Sequence, residues 1–416
     1  MAIRETNRYQ LSRLSRQQNP VRAQTPMEKA SMTSTTLIGG QVLLADGSLA
    51  ETTVTFADGA IKSVGGFAEG QEIDASGCYV LPGIVDLHGD AFERQMMPRG
   101  GVSFPIELAL QDTDSQLVSN GITTAYHSVT YAWEPGLRGR EPAVAIKNAL
   151  VEMRDVLRCD TRYHLRHETH NLVAEDEICQ WIDAGEIDLL AFNDHSDLTL
   201  KEIVHQGKST ATYTARTGLS HDEFIALLHD VVSRKPKVKD SVERIAAVAK
   251  GKGIAMASHD DYTVEMRQYY NDLGCSIAEF PMNSETAEHA ISLDNPVICG
   301  SPNIVRGGSH LGGRGVTAAV EVRENRCNIL VSDYYYPALA QAPFLLAANG
   351  DCSFADAWKL VSTNPARAAG LTDRGETTEG QRADLLVVRQ LTPKLARVEA
   401  TIAGGKLVHR VAPTLN

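Results

Sequence analysis

The sequence predicts an α/β fold: a (β/α)8 TIM-like barrel with a small β-sandwich domain built from both chain ends. Three observations carry that expectation. Short alternating strands punctuated by glycine open the chain and return at its close. Between them, eight apolar, β-branched runs alternate with longer helical stretches, and such alternation implies a parallel sheet. Histidine or a carboxylate stands at the end of most of those runs.

Residues 1–33 differ from the rest, being polar and arginine-bearing with no apolar core of a secretory signal. Their Arg- and Ser-rich, acid-poor character is faintly that of an organelle transit peptide. The expectation is a disordered extension, or a start placed too far upstream with Met27 or Met32 as the working start. The β-sandwich domain is assigned to 34–82 and 380–412. There "TTLIGGQVLL", "ETTVTFADGAIKSVGG" and "EIDASGCYVLPG" read as hairpins, matched at the far end by "RADLLVV" and "RVEATIAGGKLVHR".

The barrel is assigned to 83–379. Its strands are "GIVDLH" (83–88), "ITTAYHS" (122–128), "YHLRHE" (163–168), "IDLLAFN" (187–193), "IAMASH" (254–259), "SIAEF" (276–280), "PVICGS" (296–301) and "NILVSD" (328–333). Helices are expected between several of them, among others over 142–158, 221–235 and 240–253. A doubly wound open sheet has the same alternation. Eight strands over about 250 residues match the usual size of a barrel.

Composition excludes several classes. A hydrophobic content of 43% and a charged content of 22% are those of an ordinary globular chain. No apolar stretch approaches the ~18–20 residues of a membrane span. A net charge of −12 argues against nucleic acid and anionic membranes as partners. Seven scattered cysteines without a CxxC pair argue against a disulfide framework and a thiolate zinc cage, and fit a reducing, cytoplasmic setting.

In "VDLHGD", His88 and Asp90 stand two apart, the spacing of one strand face. Alone, the pair is half a metal site, an acid/base pair or a structural hydrogen bond. The other strand ends decide for metal: Glu168 ends the third, His195 follows the fourth, His259 ends the fifth and Asp333 ends the eighth. In a barrel these ends share one face. Six N/O ligands suit two divalent ions, zinc first, with manganese, nickel or iron also accepted. Glu168 is the expected bridge. His88, Asp90 and Asp333 are expected to hold one ion, and His195 and His259 the other. Asp333 is also placed to take a proton from attacking water. His164, His167 and His170 read as packing or supporting residues, and His127 as a weaker polar candidate. The glycine-rich "SPNIVRGGSHLGGRG" (301–315) follows the seventh strand, where barrels often bind phosphate. With Arg94 and Arg99 in "ERQMMPRGG", it points to a phosphorylated small-molecule substrate.

"LPGIVDLHGD" and this architecture resemble the amidohydrolase superfamily. The stretches "DLHGDAFER", "HLRHE", "ASHDD", "GSPNIVRGGSH" and "LVSDYYYP" resemble, within it, the α-D-ribose 1-methylphosphonate 5-triphosphate diphosphatases of the carbon–phosphorus lyase pathway, the PhnM type. The resemblance runs from about residue 35 to 410. It implies hydrolysis of the 5-triphosphate to the 5-phosphate and diphosphate, and a homodimer. It places the metal ligands at His88, Asp90, Glu168, His195, His259 and Asp333, and phosphate contacts at Arg306, Ser309 and His310. Two features depart from the superfamily. Asp90 replaces the second histidine of the usual His-x-His, and the later histidines fall on strands four and five rather than five and six. Either a strand between 90 and 187 is hidden or the barrel is irregular. The rival readings are a C–N hydrolase acting on a cyclic amide or an N-acetyl sugar phosphate, and a metal-free assembly subunit.

Overall fold

The computed structural model describes residues 34–308 and 317–412; the N-terminal segment expected to be disordered lies outside them. The chain opens with β1 (Thr35–Leu43), β2 (Leu49–Ala57), β3 (Ala60–Val64), β4 (Gln71–Asp74) and β5 (Tyr79–Pro82). Eight strands follow: β6 (Ile84–Gly89), β7 (Ile122–Tyr131), β8 (Asp160–Glu168), β9 (Leu189–Asn193), β10 (Ala255–His259), β11 (Ile277–Glu279), β12 (Val297–Gly300) and β13 (Ile329–Val331). The chain closes with β14 (Leu385–Thr392), β15 (Leu395–Ala403) and β16 (Lys406–Arg410).

The terminal strands form one mixed sheet in the order β16-β15-β14-β5-β1-β2-β3, with β4 parallel to β1. The two chain ends meet where β14 runs antiparallel to β5, Leu385 opposite Pro82 and Val388 opposite Tyr79. Asp58 and Gly59 turn β2 into β3 with φ of 53° and 80°, the left-handed pair that two-residue hairpins require. One face of the sheet buries Leu37, Val54, Phe56, Val80, Leu385 and Ile402 in a core of its own. Leu81, Leu386 and Val398 pack instead with Ile84, Leu117 and Trp358 of the barrel. Alternation along β5 and β14 thus serves two cores at once.

The middle strands are parallel in the order β6 to β13. A bridge between Gly89 and Asp333 closes the circle; Asp333 N donates to His88 O at 2.9 Å and Asp90 N to Asp333 O at 3.0 Å. A Cβ on Gly89 would lie 2.9 Å from Asp86 Oδ2 and 3.0 Å from Ser332 Oγ, so only glycine lets this seam shut. Between residues 90 and 187 the barrel has β7 and β8, so His195 does follow its fourth strand and His259 does end its fifth. The departure from the superfamily count is a property of the chain.

Period-two alternation sorts the barrel interior into layers. Ala191, Ala257, Ile277, Ile298 and Val331 share an apolar cluster inside the barrel. Two residues further along each chain stand Asn193, His259, Glu279, Gly300 and Asp333. An apolar floor therefore carries a polar layer at the strand ends. On β8 the same rule puts His164, Arg166 and Glu168 on one face, while Leu165 packs outward against the helices. Along β6 the register slips between Asp86 and Gly89, an irregularity of the kind that re-aims side chains near sites.

Candidate metal centre

Three groups of donors converge at the strand ends among the described residues; in one, His88, His259 and Glu279, the carboxylate faces the two Nδ1 atoms from below, and the other two open toward the barrel mouth. One donor atom from each of His88, Asp90 and Asp333 lies within 4.8 Å of the others, and so do those of His195, His259 and Asp260. The first of these two unites three residues the sequence assigned to one ion. In the second, Asp260 joins the expected histidine pair. Glu168, the expected bridge, sits against His195 instead: His195 Nδ1 is 2.6 Å from Glu168 Oε1, and His195 N donates to Glu168 Oε2 at 3.3 Å.

Glu279 lies beneath both groups and was missed from the sequence. It is fully buried, with Oε1 3.2 Å from His88 Nδ1 and Oε2 3.3 Å from His259 Nδ1. Burial pushes its pKa up, but His88 and His164 outweigh that and hold it well below the carboxylate range. An ionised carboxylate only accepts, so both Nδ1 atoms carry the proton and both Nε2 atoms present lone pairs. This is the outer-shell support that ligating histidines need. The alternation that puts Glu279 on the face of Ile277 was the available signal.

Arg166 was missed too. Its buried guanidinium donates from Nη1 to Asp90 Oδ2 at 3.3 Å and from Nη2 to His259 Nε2 at 3.2 Å. With the Asn193 amide turned so that its oxygen faces the arginine, that oxygen accepts from Nε at 3.2 Å and from Nη2 at 3.3 Å.

Burial holds the His88 pKa down at about 4, leaving the ring neutral, as a ligand must be. For His195, burial works downward, but Glu168 and Asp260 raise it to about 10; ligation through this ring must expel a proton. Burial, then the charge of Asp90, raises Asp333 to about 8. Three residues at this rim adopt left-handed backbone: Asp260 (φ 58°), Phe280 (φ 53°) and Asp333 (φ 54°). Aspartate tolerates it; phenylalanine is strained there. The Phe280 ring stands edge-on to His88 and His259, with centroids 5.0 and 5.2 Å away.

His88, Asp333, His195, His259 and Asp260 line a cavity of about 630 Å³. Its cations are Arg138, Arg166, Lys208 and Arg216 rather than the expected arginines. Arg138 pairs with Glu93, Arg216 with Glu134 and Lys208 with Glu202. Arg94 and Arg306 are exposed and flank Tyr334: the Arg94 guanidinium lies 6.0 Å from the ring centroid, and Arg306 Nη1 donates to the hydroxyl at 3.3 Å. Arg99 is exposed in a turn with Val102, away from the cavity. Ser309 and His310 lie outside the described residues. His127 is buried against Phe92, and His164 Nδ1 lies 3.0 Å from both Ser128 Oγ and Leu87 O. His167 packs against Phe192, and His170 Nδ1 is 3.3 Å from Asp194.

A closed parallel barrel with N/O donors at its strand ends, joined to a sheet from both termini, is an amidohydrolase architecture. A solved amidohydrolase superposes with a TM-score of 0.62 at 15% identity, covering 92% of this chain and 100% of that one. 5-Methylcytosine deaminase from Klebsiella pneumoniae gives 0.61 at 15%, covering 91% and 98%. N-acetylglucosamine-6-phosphate deacetylase from Pasteurella multocida gives 0.60 at 12%, covering 90% and 99%. These likenesses carry the fold. No protein-family model matches the sequence. The sequence is, however, 32% identical over 335 residues to the alpha-D-ribose 1-methylphosphonate 5-triphosphate diphosphatase of Escherichia coli K12, covering 78% of this chain and 88% of that protein. The chain belongs to the family of that diphosphatase. No helix among the described residues is long and apolar enough to cross a membrane.

Proposed function

We propose that the protein is a metal-dependent diphosphatase that cleaves α-D-ribose 1-methylphosphonate 5-triphosphate to the 5-phosphate and diphosphate. Family membership supports the reaction. The observation that carries the polyanionic substrate is the metal-donor cluster in the cavity: the wall sets four cations, Arg138, Arg166, Lys208 and Arg216, against five carboxylates, Glu134, Glu168, Glu202, Asp260 and Asp333, so a bound divalent ion would supply the net positive charge that phosphate oxygens need.

The residues fit a divalent ion: a neutral imidazole with a free Nε2 and two carboxylates converge within 4.8 Å, and the histidine is oriented from behind by Glu279. Such an ion, zinc or manganese, supplies Lewis acidity to a phosphoryl oxygen and acidifies water. His88, Asp90 and Asp333 would hold it, with His195, His259 and Asp260 offering a second position. Asp333 accepts the proton of the attacking water at a carboxylate oxygen; burial and the charge of Asp90 raise its pKa, and the cation held beside it would bring it back down so that the group is ionised near neutrality. Arg138, Lys208 and Arg216 bind the triphosphate oxygens and neutralise charge on the departing diphosphate. Glu168 keeps His195 in place.

The test is a comparison of products. Diphosphate should be released from the ribose triphosphate and stop when a chelator is added. Release of acetate from N-acetylglucosamine 6-phosphate without diphosphate release would replace this reading with C–N hydrolysis.

A further inference from the structure

The two donor groups are not equally available, and Arg166 makes the difference. His259 gives its Nδ1–H to Glu279, so the ring has one lone pair left, on Nε2. That lone pair accepts from Arg166 Nη2 at 3.2 Å. An imidazole nitrogen cannot accept a hydrogen bond and ligate a cation with the same pair. His88 has the same Nδ1 bond to Glu279, but no hydrogen bond among the described residues engages its Nε2. Asp90 gives only Oδ2 to Arg166 and keeps Oδ1.

The guanidinium cannot be deprotonated to release its grip, and it is held by geometry. Nη1, Nη2 and Nε are all used, on Asp90, His259 and Asn193. It also carries positive charge between the two groups, where a second cation would be repelled.

We propose that Arg166 restricts this protein to one tightly held divalent ion, at His88, Asp90 and Asp333. The His195–His259–Asp260 position fills only if the guanidinium leaves His259. In this arrangement Arg166 is the permanent second cation of the site. The inference rests on the metal-dependent reading above and deepens it.

The experiment counts zinc per chain by elemental analysis, after equilibration with excess zinc sulfate and gel filtration over a weak chelator. Circular dichroism confirms folding. The wild type should retain one zinc and Arg166→Met two. A second pair of variants decides the matter even if Arg166→Met does not fold: His259→Asn should still retain one zinc, and His88→Asn none. Two zincs on the wild type, or one on folded Arg166→Met, would overturn the role of Arg166. Loss of the wild type's single zinc in His259→Asn would place the ion in the other group and overturn it as well. No zinc on the wild type would remove the metal-dependent reading itself, whereas a wrong count leaves that reading standing.

Discussion

Replacing Glu279 by Gln isolates the support beneath the metal centre. The carboxylate is fully buried and accepts one Nδ1–H from His88 and one from His259. A glutamine amide has one oxygen and one NH2, so it can accept from only one of the two rings. Arg166 donates to His259 Nε2 and so keeps that ring's proton on Nδ1, which claims the amide oxygen; His88 meets the NH2 and must shift its proton to Nε2, losing the lone pair that would ligate. Loss of such a supporting partner typically lowers metal affinity 10–100-fold, about 1.4–2.8 kcal/mol. Competition against a chromophoric zinc chelator at neutral pH reads this directly, and a thermal melt reports folding separately. A folded Glu279→Gln protein that holds zinc within twofold of the wild type would refute the tautomer argument.

Four further outcomes follow from the same structure. Asp333→Asn should reduce turnover by at least ~10²-fold with the melting temperature little changed, since asparagine tolerates the left-handed backbone at φ 54°; a fully active variant would remove Asp333 from the chemistry. Lys208→Met should raise KM for the triphosphate about tenfold, the ~1.5 kcal/mol of a charge-assisted hydrogen bond, with kcat moving less. Gly83→Ala should destabilise by roughly 1–3 kcal/mol in chemical denaturation. There a Cβ would lie 2.3 Å from Thr123 Oγ1 and 2.9 Å from Asp384 Cβ, at the junction of sheet and barrel. Burial holds His127 down at about 4. Unfolded, that ring titrates near 6.5, so between those values the unfolded chain binds more protons and stability falls as pH falls. By pH 5 the loss is about 2 kcal/mol, and His127→Phe should show a correspondingly shallower decline between pH 7 and pH 5 in urea unfolding.

The eight barrel strands were legible because each is an apolar, β-branched run too short for a helix and bounded by polar residues. His88, Asp90 and Asp333 could be grouped because strand ends in a parallel barrel share a face. Glu279 and Arg166 obeyed the same alternation, two residues from Ile277 and from Glu168, yet drew no notice beside the more familiar histidines. Asp260 was hidden for a different reason. It lies just past β10 in left-handed backbone, and no strand periodicity reaches it. Arg138, Lys208 and Arg216 come from the segments that follow β7 and β9, folded over the barrel mouth. Distance along the chain says nothing about which of those cations turn inward. The same ignorance placed Arg94 and Arg99 in the pocket on sequence proximity to His88, where the structure leaves both exposed.

The proposed reaction is hydrolysis of a sugar 5-triphosphate at this polar layer, with the help of a metal and Asp333. A phosphorus NMR time course with α-D-ribose 1-methylphosphonate 5-triphosphate tests it most directly, using zinc-loaded wild type beside Asp333→Asn, with ATP as control. The triphosphate signals should give way to diphosphate and a 5-phosphate monoester with the wild type alone. A chelator should arrest the conversion, and ATP should be cleaved far more slowly. Unchanged triphosphate signals over folded, zinc-loaded wild type would contradict the proposal.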